Sequence, residues 1–555
     1  MLASRGLPRR RRKPAFFHGL RRLLVIPRAS EQAQPGPEIG PRAFAAAVAA
    51  CALAVGIFLL VQLTAWPPHE DETLALFAGR KSFSGMLHTV LAQRGGAPLH
   101  FVIAWLVVHA GGGLTALRVV SALLAVASVP AVALLSSRLG GRTVGVATTI
   151  LVSGSWILLF HGVYARMYTL FLLTSALSFL ALLRALDGGG RRRWALWGAA
   201  ILVTIATHPY GALVLAAQGV YALLRRERVR EAAAAFGAVV LVAVPFWRTD
   251  LVLAHRFDVG VGGGRGKLGA PWRVAEYLWQ VAGDFSAGWS FVLVGVLALA
   301  ALGLWRLWVV RRDAAVLSIA VFAVPAVALT LARLGSSTSP ESRHLIFALP
   351  FFSTLVGAGV VEVARHRWRF APAAALLGLV ALVGTEVAWA RERTPSLFDG
   401  QPRAVVAARG QAAAWLSRHW RQDDVLFGYE PVYLRAWELT RRGSQLVVPR
   451  ADPKLALKTL RAAPEPLGRG IWVFDASDVS NGDERATIPA RTPRPRSAFT
   501  VHRFGPYLIV MTRSRTETPR RYLELASAVM VDGKDLLIGD ANVNFATVRR
   551  ALARL

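Results

Sequence analysis

Long apolar runs constrain this sequence more than any other feature. Runs of about 20 apolar residues recur through the first 390 of its 555 positions, and each is long enough to cross a bilayer as a helix. They are too numerous to be core helices of a soluble protein, and a hydrophobic content of 54% points the same way. The sequence therefore predicts a polytopic α-helical membrane protein.

The spacing of these runs predicts about eleven transmembrane helices within residues 43–390. The predicted spans are 44–66, 116–137, 143–162, 167–186, 194–209, 211–224, 231–248, 289–309, 314–334, 344–364 and 370–390. A first outer loop, 67–115, separates the first two. Its apolar segment Pro98–Ala110 would rise only about 20 Å as a helix, short of the roughly 30 Å hydrocarbon core. We therefore expect interfacial helices in this loop.

The net charge of +32 comes from 65 Lys and Arg against 33 Asp and Glu. Such a charge is also found in nucleic-acid binders, but here the arginines cluster between apolar runs, as in cytoplasmic loops of membrane proteins. We therefore expect no nucleic-acid partner. With Pro98–Ala110 not crossing, the basic segment 1–42 and five arginine clusters share the cytoplasmic side. The clusters are Arg138/Arg142, Arg191–Arg193, Arg225–Arg230, Arg311/Arg312 and Arg365–Arg369. This predicts a multi-pass protein of a bacterial-type plasma membrane.

Residues 391–555 are more polar and predict a separate extracytoplasmic α/β domain, since an odd number of spans places them outside. Helical and strand patterns alternate in this part. The predicted helices are 404–420, 431–441 and 453–462, the predicted strands are 424–429, 445–448, 471–474 and 507–511, and 489–496 is a predicted loop.

Three consecutive carboxylates, Glu70-Asp71-Glu72, follow the first span after His69 and the pair Pro67-Pro68. The prolines end the span and turn the chain along the membrane surface. A solvated acidic loop would need no function. A functional interpretation needs cations nearby, because an anionic substrate would otherwise be repelled.

Three arginines fall at the outer ends of predicted spans: Arg118, Arg166 and Arg343. Each alone is also compatible with a residue that extends its charge to the membrane interface. Together, on a face otherwise poor in arginine, they favour an anion site.

A carboxylate beside an arginine-lined membrane pocket suits sugar transfer from a lipid phosphate. The carboxylate removes the proton of an acceptor hydroxyl as general base, and the arginines stabilise the charge growing on the leaving phosphate. One direct displacement inverts the anomeric centre. The outer face has no nucleotide pool, which favours a lipid-phosphate donor over a nucleotide sugar.

The ordered motifs resemble those of GT-C glycosyltransferases. The resemblance is to the protein O-mannosyltransferase branch (glycosyltransferase family 39) and its RgtA/B/C/D-like and aminoarabinose-transferase-like (ArnT-like) bacterial relatives, and it covers roughly residues 44–390. The matching elements are Asp71-Glu72, Ala97–His100, Leu117-Arg118 with Ser121, Ala165–Tyr168, Thr207–Tyr210, and Arg343-His344 with Pro350. The chain departs from the family where Ala97 replaces a proline and where Glu70 adds a third acid.

The resemblance implies an inverting transferase with an extracytoplasmic site and a polyprenyl-phosphate sugar donor. By it, Asp71 resembles the catalytic base and Glu72 its paired acid, while Arg118 resembles the family's essential arginine. We infer that Arg118, Arg166 and Arg343 contact the donor phosphate. Further pocket candidates are His69, Glu70, His100, Tyr168, His208, Tyr210 and His344. Mannose is the first expectation, with other hexoses or pentoses open, and the acceptor is a protein, glycan or lipid hydroxyl.

No cofactor is expected to be obligatory, and a metal site stays undetermined. A divalent cation is compatible with the oxygen and imidazole ligands of Asp71, Glu72 and His69. The alternative function is a transporter or a flippase for lipid-linked glycans, since ionisable residues within membranes also mark transport pathways. The absence of an inverted repeat in the sequence argues against it.

Overall fold

The computed structural model describes residues 38–254, 271–331, 341–450, 452–475, 493, 495–531 and 547–555. The predicted cytoplasmic segment 1–42 lies almost wholly outside the described residues, and so does most of the predicted loop 489–496. Each of the eleven predicted spans coincides with a helix or a bent pair of helices. These are α1 (Pro41–Val61), α5 (Leu114–Gly140), α6 (Arg142–Gly154) with α7 (Trp156–Val163), α8 (Tyr168–Gly188), α9 (Arg191–Thr207), α10 (Gly211–Arg225), α11 (Val229–Val242) with α12 (Val244–Ala254), α14 (Ser290–Val310), α15 (Arg312–Leu331), α16 (Leu349–Ala364) and α17 (Ala371–Arg393).

Helix length limits how many of these can cross a membrane unaided. Seven spans are long and apolar enough, and nine are when the bent pairs α6–α7 (54°) and α11–α12 (55°) each count as one. Helix α16 reaches this length together with the 3-10 segment Ser342–Ala348 that precedes it. The two shorter helices α9 and α10 have 17 and 15 residues. The polytopic helical architecture is confirmed, while the number of eleven crossings stays a prediction.

The first outer loop is helical, and none of its described helices is long enough to be a membrane span. It contains α2 (Glu70–Gly79), α3 (Phe83–His88), a π-helical turn (Thr89–Arg94) and α4 (Leu99–His109). Helix α4 has 11 residues and rises only about 16 Å, so it is too short for the hydrocarbon core. A comparable helix outside the membrane-crossing set, α13 (Pro271–Phe285), precedes α14.

Contacts between loops fix which of them share a side. Arg138 and Arg225 both form ion pairs with Asp187, and Arg311 Nη1 donates to the Arg138 carbonyl at 3.1 Å. Three of the arginine clusters therefore meet on one side of the helical bundle. The first outer loop contacts the C-terminal domain. Arg80 Nη1 in this loop donates a hydrogen bond to the carbonyl oxygen of Gly443 at 3.3 Å.

The C-terminal domain alternates helices and strands. Its elements are α18 (Pro395–Asp399), α19 (Arg403–His419), β1 (Val425–Phe427), α20 (Pro431–Thr440), β2 (Leu446–Val448), α21 (Pro453–Arg461), β3 (Gly470–Asp475), β4 (Phe499–Phe504), β5 (Tyr507–Thr512) and α22 (Pro519–Val531). The strands form one five-stranded sheet with order β2-β1-β3-β5-β4. Strand β1 pairs in parallel with β2 and β3, while β5 pairs antiparallel with β3 and β4. The sequence did not predict α18, β4 or α22.

One face of this sheet shares a core with the first outer loop. Phe77 of α2 lies edge-on against Tyr429 and Trp437, with ring centroids 6.4 Å apart in both pairs. The same core contains Leu114, at the start of α5, and Ile471 of β3. The opposite face of the sheet packs on α21 and α22. The outer loop is therefore held between the membrane helices and the C-terminal domain.

Two glycines allow α14 and α16 to cross closely. A Cβ atom on Gly303 would overlap the carbonyl oxygen of Leu355, and one on Gly359 would overlap that of Leu299. We expect Gly303→Ala to lower the free energy of unfolding by about 1–3 kcal/mol, because overpacking forces the two backbones apart. Thermal unfolding of the purified protein in detergent measures this. The matched control is Gly295→Ala on the same helix, where an added Cβ meets open space, and an equal loss in both variants would contradict the explanation.

Candidate active site

The acidic cluster forms the first turn of helix α2 rather than a solvated loop. His69 precedes this turn and caps it, since its Nδ1 accepts a hydrogen bond from the Asp71 N–H at 3.2 Å. Glu72 Oε2 in turn accepts from the His69 N–H at 3.0 Å. Carboxylates are stabilised at a helix N-terminus by its unpaired N–H groups and by the helix dipole. The sequence thus folds its three acids into one rigid turn.

Glu72 and Arg118 form a buried bidentate ion pair. Arg118 Nη2 lies 2.7 Å from Glu72 Oε2, and Arg118 Nε lies 2.9 Å from Oε1. The other guanidinium hydrogen bonds go to the carbonyls of Leu63, Trp66 and Pro67, at 3.2, 2.9 and 3.2 Å. These five bonds match the five N–H donors of an arginine side chain. In this geometry Arg118 has no N–H left to donate to a phosphate. Its hydrogen bonds indicate that it positions the first turn of α2, and its predicted contact with the donor phosphate stays a prediction.

Glu72 also joins two parts of the chain that are distant in sequence. Its Oε1 accepts a hydrogen bond from the Ala165 N–H at 2.9 Å, and its side chain is 0% exposed. The pair with Arg118 therefore connects the end of α1, the start of α2, helix α5 and the segment between α7 and α8. Burial and complete pairing make Glu72 unsuited to accept a proton from a substrate.

Of the three acids, Asp71 is the one that is partly exposed and lies beside Arg166, which belongs to the helical bundle rather than to the C-terminal domain. Its side chain is 28% exposed. The Tyr164 hydroxyl donates to Asp71 Oδ2 at 2.9 Å, and Arg166 Nη1 lies 3.6 Å from Oδ1. Arg166 Nη1 also donates to the Asp71 carbonyl at 3.2 Å.

The charges around Asp71 keep it ionised. Burial acts to raise the pKa of Asp71, but Arg166 opposes it, followed by His69 and Arg343. These charges outweigh burial and lower the pKa of Asp71 below its ordinary value. Two of the three predicted phosphate-binding arginines, Arg166 and Arg343, therefore act on one carboxylate.

Glu70 faces the C-terminal domain. Its Oε2 lies 2.8 Å from Nε of Arg450, and the same guanidinium pairs with Glu430. This contact attaches the C-terminal domain to the first turn of α2. It gives Glu70 a docking role and distinguishes it from Asp71.

Four of the predicted pocket residues form one aromatic and imidazole cluster. His344 lies 5.2 Å from Tyr210 and 5.4 Å from His208 between ring centroids, and Tyr168 lies 5.8 Å from His208. The Arg343 guanidinium lies 5.3 Å above the Tyr168 ring, which is within cation–π range. Arg343 Nη2 also pairs with Glu341 Oε1 at 2.6 Å.

His100 lies on α4 and is buried, with 4% of its surface exposed. Burial, followed by the charge of Arg166, lowers the pKa of His100 to about 3. Its imidazole is therefore neutral at physiological pH. Arg166 and Asp71 both act on the pKa of His100, so its place in the pocket stays a prediction that their proximity supports.

A cavity of about 610 Å³ opens beside this cluster. It is lined by the outer end of α7, by α13, by the segment around Arg343 and by the outer end of α17. The sequence did not single out Tyr164, His161 or the cavity tryptophans as site residues. Tyr164 stands two residues before Arg166, which was a usable signal. Trp156 and His161 lie on α7, beyond a bend that no motif marks, and Trp279 and Trp389 come from α13 and α17, which are distant in sequence.

Among the described residues, no group of three or more His, Cys, Asp or Glu side chains could hold a metal ion. His69 and Asp71 do lie close, with Nδ1 and Oδ2 4.0 Å apart. Glu72, the third candidate ligand, is turned to Arg118. Among the described residues, His69 and Asp71 are therefore the two candidate ligands that remain close together.

The described architecture is the GT-C fold, as the motif resemblance implied. ArnT from Cupriavidus metallidurans, solved with bound undecaprenyl phosphate, aligns with a TM-score of 0.54 and 14% identity over 85% of this chain and 98% of that one. Its apo structure aligns at 0.52, with the same identity and coverage. The mycobacterial arabinofuranosyltransferase AftD aligns at 0.49, with 14% identity over 87% of this chain and 40% of that one. No family model matches the sequence, and no curated protein sequence matches it significantly.

The Glu72–Arg118 pair gives a stability prediction. Arg118→Ala leaves Glu72 buried without its counter-charge, so we expect a loss of about 3–5 kcal/mol in the free energy of unfolding. Thermal and denaturant unfolding in detergent would measure it. As a control, Arg273→Ala breaks the pair with Glu276, whose two side chains are more than half exposed, and should change stability by about 0–1 kcal/mol. Equal effects would mean that the buried pair does not hold the loop.

Proposed function

We propose that this protein is an inverting glycosyltransferase that moves a sugar from a polyprenyl-phosphate donor to a hydroxyl acceptor on the extracytoplasmic face of the plasma membrane. The observation that carries the proposal is Asp71, an ionised and partly exposed carboxylate beside Arg166. A base and a cation for the leaving group are the two elements such a transfer requires. Phosphate is a competent leaving group, so no strong general acid is needed.

In the proposed reaction Asp71 removes the proton of the acceptor hydroxyl. The oxygen then attacks the anomeric carbon, and the bond from that carbon to the phosphate oxygen breaks. Arg166 and Arg343 stabilise the phosphate that leaves. Tyr164, through its 2.9 Å hydrogen bond, holds Asp71 Oδ2 in place, and Glu72 and Arg118 hold the turn that carries it.

Donor binding would also make Asp71 a better base. The arginines that lower its pKa are the ones proposed to bind phosphate. An anionic phosphate on Arg166 and Arg343 would offset their charge, while burial would remain and raise the pKa of Asp71. A general base works best when its pKa lies near the working pH. The base would therefore strengthen only when the donor is present.

A lipid-linked donor is supported by the position of the site and by the fold. The site lies where the outer loop meets the ends of apolar helices, within reach of a membrane-borne phosphate. ArnT, which shares the fold, was solved with undecaprenyl phosphate bound. We propose mannose or another hexose or pentose as the sugar, and a protein, glycan or lipid hydroxyl as acceptor. We further propose a cytoplasmic N-terminus, an extracytoplasmic C-terminal domain and no obligatory cofactor.

Removing the base tests the proposal directly. Asp71→Asn keeps the size of the side chain but cannot accept the proton, so we expect transfer to fall by about 10²- to 10⁴-fold. The measurement is transfer of radiolabelled sugar from polyprenyl-phosphate-hexose in membranes to endogenous acceptors. Glu276→Gln, an exposed carboxylate on α13, is the matched control and should retain activity. Full activity in Asp71→Asn would exclude Asp71 as the base.

The pH profile gives a second test. The base form exists above its pKa. In the donor-free protein, whose ionisation kcat/KM reports, the lowered pKa of Asp71 predicts no acid limb from this group above its ordinary pKa of about 4. Arg166→Gln removes the largest opposing charge while burial remains, so the acid limb of kcat/KM should move to higher pH. Arg450→Gln, which contacts Glu70, should leave the limb in place. An acid limb unchanged by Arg166→Gln would contradict the assigned charge coupling.

A further inference from the structure

The first outer loop carries positive charge that none of its own later residues balances. After Glu72, the next acidic residue in the sequence is Asp187. Between Glu72 and the start of α5, the loop contains Arg80, Lys81 and Arg94, which we call the outer-loop cations. Membrane proteins usually concentrate Lys and Arg in cytoplasmic loops, and this loop is expected on the opposite side. Positive charge retained at this place indicates an anionic partner.

Arg80 and Lys81 form hydrogen bonds to neutral groups. Arg80 Nη1 donates to the carbonyl oxygen of Gly443, and Lys81, which is exposed, donates from Nζ to the Thr89 hydroxyl at 2.8 Å. In the part of the chain that the structure describes, no carboxylate forms an ion pair with either side chain. Partial burial lowers the pKa of Lys81, and the nearby charges of Arg80 and Arg94 lower it further. An anion beside Lys81 would therefore offset a repulsion that the described residues leave unbalanced.

Large apolar side chains are exposed next to these cations. Phe83, the first residue of α3, is 45% exposed, and Leu106 of α4 is 55% exposed. Trp105 joins the two helices, because its ring centroid lies 5.2 Å from that of Phe83 and its Nε1 donates to the Lys81 carbonyl at 3.1 Å. Exposed apolar residues beside lysine and arginine are typical of helices that lie in the membrane interface. The α3–α4 unit therefore has the composition of a lipid-binding surface.

The neighbouring helices indicate that this surface lies at the level of the lipid headgroups. The loop joins α1 to α5, and both helices are long and apolar enough to cross a membrane. Just after the π-helical turn, the Gly96 N–H donates to the Thr249 carbonyl of α12 at 3.1 Å. Helix α12 exposes Leu251, whose surface is 60% accessible. The outer-loop cations therefore lie where lipid-facing helices end, within reach of the phosphates of the bilayer.

We propose that the outer-loop cations bind the phosphate of an anionic phospholipid, with Phe83 and Leu106 in contact with its acyl chains. Lys81 supplies the exposed charge, and an ammonium group binds phosphate oxygens through short charge-assisted hydrogen bonds. A zwitterionic lipid also carries a cation, which the same cluster would repel, so the surface favours a headgroup with a net negative charge. This inference does not depend on the proposed transfer reaction.

Photo-crosslinking of the full-length protein in phosphatidylcholine nanodiscs tests the inference. The probes are phosphatidylglycerol and phosphatidylcholine that carry the same diazirine in one acyl chain, and mass spectrometry of tryptic peptides locates the adducts. Residues 82–94 form one tryptic peptide between Lys81 and Arg94, so an adduct in this peptide reports binding at the α3–α4 unit. We expect the phosphatidylglycerol probe to label it at least about threefold more than the phosphatidylcholine probe. Equal labelling by the two probes, or no labelling, would overturn the inference.

A charge variant identifies the headgroup contact. Lys81→Gln should lower phosphatidylglycerol labelling of this segment, peptide 81–94 in the variant, by about three- to tenfold, the contribution of one cation near an anionic lipid. Labelling by phosphatidylcholine should not change. The matched control is Lys454→Gln, because Lys454 is an exposed lysine of α21, which packs on the opposite face of the C-terminal sheet. Undiminished labelling in Lys81→Gln, or an equal loss in Lys454→Gln, would overturn the inference.

A competition step distinguishes a membrane phospholipid from the proposed lipid donor. Excess unlabelled phosphatidylglycerol should abolish labelling of the segment. One equivalent of polyprenyl phosphate per protein should occupy the site proposed for it at Arg166 and Arg343 and leave the labelling unchanged. Persistent labelling with excess phosphatidylglycerol, or its loss with polyprenyl phosphate, would overturn the inference. Its failure is separable from failure of the proposed function, since transfer that depends on Asp71 is measured independently of this labelling.

Discussion

The buried pair between Glu72 and Arg118 is the interaction on which the candidate active site depends. It is bidentate, with N–O distances of 2.7 and 2.9 Å, and both side chains are almost wholly buried. A buried pair is stabilising only when the remaining donors and acceptors are also satisfied. Here the carbonyls that follow α1 take the remaining guanidinium N–H groups. The pair therefore fixes how the first outer loop leaves the membrane.

Helical geometry explains how three neighbouring acids come to act differently. Successive residues of an α-helix point about 100° apart, so one turn sends three side chains in three directions. Glu70 meets Arg450 of the C-terminal domain, and Glu72 meets Arg118 in the interior. Asp71 points between them to Tyr164 and Arg166. The outer two acids hold the turn in place, and the middle one is left with the surroundings of a base.

Much of this could be predicted from the sequence because the signals were local. Apolar runs predicted the seven helices that are long and apolar enough to cross a membrane, and the clustering of Arg138 and Arg225 predicted loops that do share a side. The same holds for the grouping of Tyr168, His208, Tyr210 and His344. The complete environment of Arg118 could not be predicted, because three of its five hydrogen bonds go to backbone carbonyls. Strand β4 was missed because polar or charged residues occur on both of its faces, Thr500 and His502 on one and Arg503 on the other, so the sequence shows no clean alternation there.

The role of the C-terminal domain follows from what it touches. It shares a core with α2 through Phe77 and binds Glu70 through Arg450. It thus covers one side of the first turn of α2 and leaves the Asp71 carboxylate partly exposed. A base on a short loop helix would otherwise move freely relative to a substrate held by the membrane helices. Catalysis by a general base needs hydrogen-bond reach to the reacting hydroxyl. The C-terminal domain contributes to the proposed reaction by holding this turn from one side, while the Glu72–Arg118 pair holds it from the other.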